Sequence, residues 1–157
     1  ALTLSSVSPP LSEKAFRVKV TRRVEPDRDK VSLTDARVVI SGGRGVGSSG
    51  GFEGLEEVAA LVGGAVGCSR AVTNEGWRPH SDQVGQTGAR VAPDVYFACG
   101  ISGAIQHYVG CKGSKNIIAI NIDPEAPILA KAQYAVIGDL HQVVPAVSEE
   151  IRKLKSR

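Results

Sequence analysis

The polar groups of this 157-residue chain that could do chemistry cluster in glycine-rich stretches. Ser41-Gly42-Gly43-Arg44-Gly45 follows one apolar run. Gly100-Ile101-Ser102-Gly103-Ala104-Ile105-Gln106-His107 follows another, Val95–Cys99. Glycine lets the main chain approach a phosphate closely. The free N–H groups of a helix start attract anions. In the second stretch Ser102 is expected to cap a helix, leaving the amides of Gly103 and Ala104 free. Arg44 is a cation set inside a glycine loop, which suits a phosphate or an anionic ring. Together these features imply the holding of a ligand with phosphates and a ring.

Other polar residues gain meaning from where they stand. Ser69 ends the run Ala65–Ser69 and Arg70 follows it, Asn121 follows Ile117–Ile120, and Asp139 follows Tyr134–Gly138. Taken singly, each has an ordinary explanation. Arg70 would be a surface arginine, His107 a partly exposed helix residue, and Asp139 the cap of the last helix. Taken together, Arg44, Ser69, Ser102, Asn121 and Asp139 all lie at the ends of inferred strands. Parallel strands bring such ends to one rim, where α/β sheets bind ligands.

Nucleophilic and metal chemistry have no comparable support. There is no GxSxG elbow, no Lys-Ser/Thr of a P-loop and no clean GxGxxG. The three cysteines, Cys68, Cys99 and Cys111, have no CxxC spacing, so a disulfide framework or zinc site is not expected. His80 and His141 stand far from His107, without ligand spacing. A net charge of +3 gives no concentrated basic face for nucleic acid. No apolar run is long enough to span a membrane. The chain begins at Ala1, which suggests processing or a piece of a longer protein, and a reducing compartment is expected.

The elements that must position these groups are legible as periodicity. Arg37–Ser41, Ala65–Ser69, Val95–Cys99, Ile117–Ile122 and Tyr134–Ile137 are short apolar runs of buried-strand type. Phe52, Leu55, Val58, Ala59 and Val62 repeat at helical spacing. So do Leu140, Val143, Val144, Val147, Ile151 and Leu154, in a closing helix rich in Lys and Arg at its end. Strands alternating with helices predict a doubly wound α/β domain, Rossmann-like, with a parallel sheet and helices on both faces. Residues 1–35 read as a linker or arm, in which Phe16, Val18 and Val20 could form an edge strand. The folded domain is expected over 36–157.

Six segments resemble one family in order and wording: SGGRG at Ser41–Gly45, SRA at Ser69–Ala71, QVGQTG at Gln83–Gly88, GISGAIQH at Gly100–His107, AIN at Ala119–Asn121 and GDL at Gly138–Leu140. The family is that of electron transfer flavoprotein α subunits, and the likeness covers roughly residues 36–152. It implies a C-terminal FAD-binding domain, a DHS-like NAD/FAD-binding domain in fold. Carried over, Arg44 would lie near the flavin and its diphosphate, Ser69 would contact FAD, and Arg70 would sit by the ring and favour its anionic reduced form. Val84, Gly85, Gln86 and Thr87 would wrap the flavin, with the Thr87 hydroxyl near N5. Ser102, Gly103, Ala104, Ile105, Gln106 and His107 would bind the diphosphate and ribityl side, with His107 near the pyrimidine end of the ring. Asn121, Asp139 and Leu140 would hold the adenosine portion.

The resemblance also implies a job and partners. The job is electron carriage rather than substrate turnover, in a heterodimer with a β subunit. Electrons would come from acyl-CoA and related dehydrogenases and pass to a membrane quinone oxidoreductase. The setting would be a mitochondrial matrix, or the cytoplasm of a bacterium. Two departures stand out: the extra glycine in GVGSSGGF after Arg44, and Cys68 and Cys111 where apolar or small residues are expected. An NAD(P)-binding domain of a dehydrogenase or transhydrogenase is the alternative within the same fold. A cofactor-free interaction module is the alternative from another class.

Overall fold

Five short apolar runs form a parallel sheet in the computed structural model, which describes residues 3–12, 14, 21 and 31–156. The strands are β1 (Val38–Gly42), β2 (Ala65–Cys68), β3 (Val95–Cys99), β4 (Asn116–Asn121) and β5 (Tyr134–Ile137). Their order is β2-β1-β3-β4-β5, with every neighbouring pair parallel. The helices are α1 (Glu53–Val62), α2 (Arg70–Asn74), α3 (Ile105–Cys111) and α4 (Leu140–Lys155). This is the expected doubly wound α/β arrangement.

Alternation along the strands divides the core in two. Val39, Ala65, Tyr96, Ala98, Ile117 and Ala119 face a layer built from Cys111 and Tyr108 of α3, Val84, Val91 and the Ala126–Leu129 segment. Ile40, Cys68, Cys99 and Ile120 face the other way, onto Leu55, Val58 and Ala59 of α1, Val72 of α2, and Leu140 and Val144 of α4. Burial of both sheet faces explains why most of the strands are continuously apolar. β5, one of the two edge strands, is the exception to this burial: all four of its residues are exposed.

Local signals set the helix limits. α1 ends at Gly63, which takes the left-handed conformation (φ 63°) usual after a helix. α4 starts where the Asp139 carboxylate accepts from the His141 amide at 2.9 Å, the capping role expected of it. Arg152, Lys153 and Lys155 occupy its last turn, where the helix dipole favours cations.

One expected cap is different. Ser102 does not cap α3. The helix begins three residues later, with Ala104 at the N-cap and no side-chain cap bond. Gly103 (φ 87°) turns the chain tightly against Ile128, and the Ile128 amide donates to Ser102 O at 3.0 Å. That tertiary contact holds 102–104 out of the helix.

The connection from α2 to β3 has no long crossover helix. It is pinned instead by Arg78, whose guanidinium pairs with Asp82 at 2.8 Å and with Glu56 of α1, and lies over the Phe52 ring. The three cysteines are buried and free. Burial pushes the thiols of Cys68 and Cys99 up to about 12 and that of Cys111 to about 11, so all three stay protonated. The possible edge strand at Phe16–Val20 lies outside the described residues. In the described part of the arm, Leu4, Val7 and Leu11 are exposed.

Candidate functional site

The strand order reverses between β1 and β3: the chain leaves β1 toward β2 on one side and later returns to lay β3 on the other. Loops leaving such a pair diverge and open a crevice at the carboxyl ends. A cleft of about 630 Å³ opens here, within the range of small-molecule and cofactor sites.

Its floor is glycine backbone. Gly43 N donates to Cys99 O at 2.9 Å and Gly45 N to Gly100 O at 3.1 Å, lacing the β1 exit to the β3 exit. A Cβ on Gly43 would stand 2.2 Å from Gly100 O, and one on Gly100 would stand 2.7 Å from the Gly45 Cα. No side chain fits at this crossing. The extra glycine noted in the first loop has a similar cause, since a Cβ on Gly51 would meet Val46 O at 2.3 Å.

Beside the floor runs the Ser102–Gln106 turn. Among the described residues, its five amides have no acceptor, which makes a concave array of donors. Arg44 and Arg70 stand exposed on the cleft wall, and neither is ion-paired among the described residues. Free donors and two cations make the cleft suited to anions.

The other wall is the loop Gln83–Thr87. Val84 N donates to Cys68 O at 2.9 Å, which continues the sheet edge, and Gln86 N donates to Gln106 O at 2.8 Å, which ties the loop to α3. Gln83 is buried and reaches Thr87 Oγ1 with its Nε2 at 2.8 Å.

His107 closes the inner end. It is 7% exposed, deeper than its sequence position suggests, and its Nε2 lies 2.9 Å from the hydroxyl of fully buried Tyr96. Burial pulls its pKa down to about 4, a fall that the Val84 carbonyl opposes only in part. The ring is therefore neutral at pH 7. Its Nδ1 is buried and makes no hydrogen bond of good geometry. Tyr96 stays protonated, because burial raises its pKa well above the ordinary range.

Most of the sequence-derived set converges here. Arg44, Ser69, Arg70, Val84, Gly85, Gln86, Thr87, Ser102, Ala104, Gln106, His107 and Asn121 line the cleft. Gly103 and Ile105 belong to the adjoining turn but do not line it. Asn121 is also structural: its Nδ2 donates to Ile101 O at 2.9 Å and its Oδ1 accepts from Asp123 N at 3.0 Å.

Asp139 and Leu140 stand off the cleft wall. The crevice opens between β1 and β3, and β5 lies two strands beyond β3. Asp139 is occupied as a cap, and Leu140 is buried in the core against Gly100. Residues missed in the sequence also line the cleft: Gly43, Gly45, Gly100, Ile101, Asn74, Gln83, Asp123 and Ala126. The glycines were visible as motifs. Asn74 carried no signal, because α2 is too short for a periodic pattern.

Comparison with known proteins bears on what such a cleft holds. A family profile described as "Electron transfer flavoprotein FAD-binding domain" matches residues 32–112. The electron transfer flavoprotein subunit alpha of Thermoanaerobacterium thermosaccharolyticum is 46% identical over 145 residues, covering 92% of this chain and 44% of that protein. The Bacillus subtilis subunit alpha is 47% identical over 139 residues, 88% of this chain and 43% of that protein. The mitochondrial subunit alpha of Dictyostelium discoideum is 50% identical over 149 residues, 93% and 42% of the two chains. This chain thus spans less than half the length of these relatives.

Proposed function

The chain belongs to the electron transfer flavoprotein α-subunit family, and from that premise we propose that its cleft holds FAD and that the protein carries electrons. The observation that carries this reading is the pairing, in one cleft at the β1/β3 switch point, of a side-chain-free floor and donor-rich turn with a side-chain-bearing wall. The first suits a diphosphate and the second a ring. FAD, when bound, supplies the electron-transfer chemistry, and the residues supply position and field.

The amides of Ser102–Gln106 and the Arg44 guanidinium bind the diphosphate. Val84–Thr87 lies along the ring, with the Thr87 hydroxyl offered near N5. Arg70 places a positive charge beside the ring, which favours added negative charge there and raises the potential. His107, neutral at pH 7, presents an uncharged imidazole at the pyrimidine end. Ser69 and Asn121 border the remaining length of the cleft, toward the adenosine.

The wider assignment follows the family. The chain acts as part of an α subunit paired with a β subunit. It takes electrons from acyl-CoA and related dehydrogenases and delivers them to a membrane quinone oxidoreductase, with no substrate turnover of its own. Its setting is the mitochondrial matrix or a bacterial cytoplasm. Among the described residues, no helix is long and apolar enough to cross a membrane.

The test is spectroscopic. Purified chain, mixed with FAD and passed through a desalting column, should retain flavin absorbance, and denaturation should release FAD. Arg70→Ala should lower the flavin potential without unfolding the domain. A chain that takes up NAD(H) but not FAD overturns the flavin assignment in favour of a nicotinamide-binding domain.

A further inference from the structure

The cleft is charged unevenly. Arg44 and Arg70 supply its cations, and among the lining residues Asp123 carries the only carboxylate. No Lys or Arg of the described residues pairs with Asp123. The strand order keeps the two signs apart. Arg70 follows β2, Asp123 follows β4, and β1 and β3 stand between them. Three strand spacings separate them by roughly 14 Å.

Asp123 is held in place. Asn121 donates from Nδ2 to Ile101 O at 2.9 Å, and its Oδ1 accepts from Asp123 N at 3.0 Å. The Asp123 backbone is thereby pinned to the residue that precedes the donor-rich Ser102–Gln106 turn. Asp123 Oδ1 accepts from the Glu125 amide at 2.9 Å, and among the described residues nothing donates to Oδ2. Both polar atoms of the Asn121 side chain thus bond within the protein, whereas Asp123 keeps an oxygen for a ligand.

A carboxylate only accepts hydrogen bonds, and the turn beside it only donates them. A ligand that satisfies both must change character over a short distance. The turn takes phosphate oxygens, and Asp123 repels them and takes hydroxyl hydrogens. In a nucleotide the unit next to the phosphate is the sugar, with two neighbouring hydroxyls, and the base lies one unit farther. We propose that Asp123 is a specificity-determining residue, which accepts from the ribose hydroxyls of the adenosine half of the ligand and excludes a phosphate at that position. The inference rests on the reading of the cleft as an FAD site and adds which residue reads the sugar.

Two ligand comparisons test it. FAD whose adenosine lacks both ribose hydroxyls should bind the wild-type chain about 3- to 30-fold more weakly than FAD, the scale of a hydrogen bond to a charged acceptor at an open rim. In Asp123→Ala that penalty should shrink to about 2-fold or less. General damage from the substitution weakens both ligands alike and leaves their ratio untouched, so the ratio reads the contact itself. An equal penalty in wild type and Asp123→Ala overturns the proposal.

Asp123→Asn removes the charge and keeps an oxygen for the Glu125 amide. By calorimetry, the wild-type chain should prefer ADP-ribose to the form phosphorylated on the adenosine 2′-hydroxyl by about 10-fold, the scale of like charges about 5 Å apart in water. Asp123→Asn should narrow that preference by about 3-fold or more. A preference unchanged by this substitution overturns the exclusion of phosphate. A wild-type chain that takes up ADP-ribose but not FAD sinks the flavin reading, while the second comparison still decides the role of Asp123. A chain that takes up neither overturns both.

Discussion

The floor and the side wall of the cleft are held in contrasting ways. The floor is main chain against main chain: Gly43 and Gly45 lie on Gly100, with no side chain between them and N–H···O bonds across the gap. The side wall depends on side chains, with Gln83 bridging Thr73 and Thr87, and Tyr96 holding His107. A phosphate is recognised by any array of N–H donors, so its seat can be made without side-chain identity. A ring with distinct acceptor and donor edges needs hydroxyls and amides aimed one by one. The wall is therefore the part that a substitution can retune, and the floor the part that a substitution breaks.

The sharpest way to break this contrast is Gly43→Ala. The added Cβ would stand 2.2 Å from Gly100 O, and backbone on both sides leaves it nowhere to go. The expected loss is about 3 kcal/mol or more, read from urea unfolding. A variant as stable as the wild type would show that the floor gives way easily.

A second test uses acid. The folded-state pKa of His107 falls from 6.5 to about 4, so below 6.5 the unfolded chain takes up a proton that the folded chain refuses. Its contribution is intact above pH 6.5 and is lost as the pH falls toward 4. The loss is on the order of 3 kcal/mol at most. Urea midpoints measured from pH 7 to pH 4 should decline, and His107→Gln should flatten the decline. An unaltered slope in that variant would place the acid sensitivity elsewhere.

The smallest effect is expected outside the cleft wall. Asp139→Ala removes the cap of α4 and should cost about 1 kcal/mol. A loss as large as that of Gly43→Ala would mean that the β5 end is tied to the cleft more tightly than its geometry shows.

How much of this was legible in the sequence depends on the distance over which each signal acts. Val95–Cys99 and Tyr134–Ile137 were placed to the residue, because a short apolar run bounded by turn residues carries its own limits. The Asp139 cap was equally local. Ser102 was misplaced as a cap because the determining contact, with Ile128, lies far along the chain. Asp139 was grouped with the cleft because all strand ends share one rim, and Leu140 only because the family resemblance carries it there. The sequence does not print the strand order, and that order sets β5 apart from the β1/β3 opening. Gln83 was quoted within a motif but given no role, since its partner Thr73 sits on a helix too short to recognise.

The crossing of Gly43 and Gly45 over Gly100 has a consequence for motion. Loops at the ends of strands usually open and close on their own, with amides that exchange with solvent far faster than those of the core. Here the loop amides of Gly43 and Gly45 donate to Cys99 and Gly100 at the exit of β3, and that of Gly100 donates to Ile120 of β4, so the loops are laced to the ends of three strands. Their protons should therefore exchange at rates closer to those of the strands than to those of free loops. A base so laced favours passage of a ligand over the rim, on the hydroxyl-and-amide side, rather than through the floor.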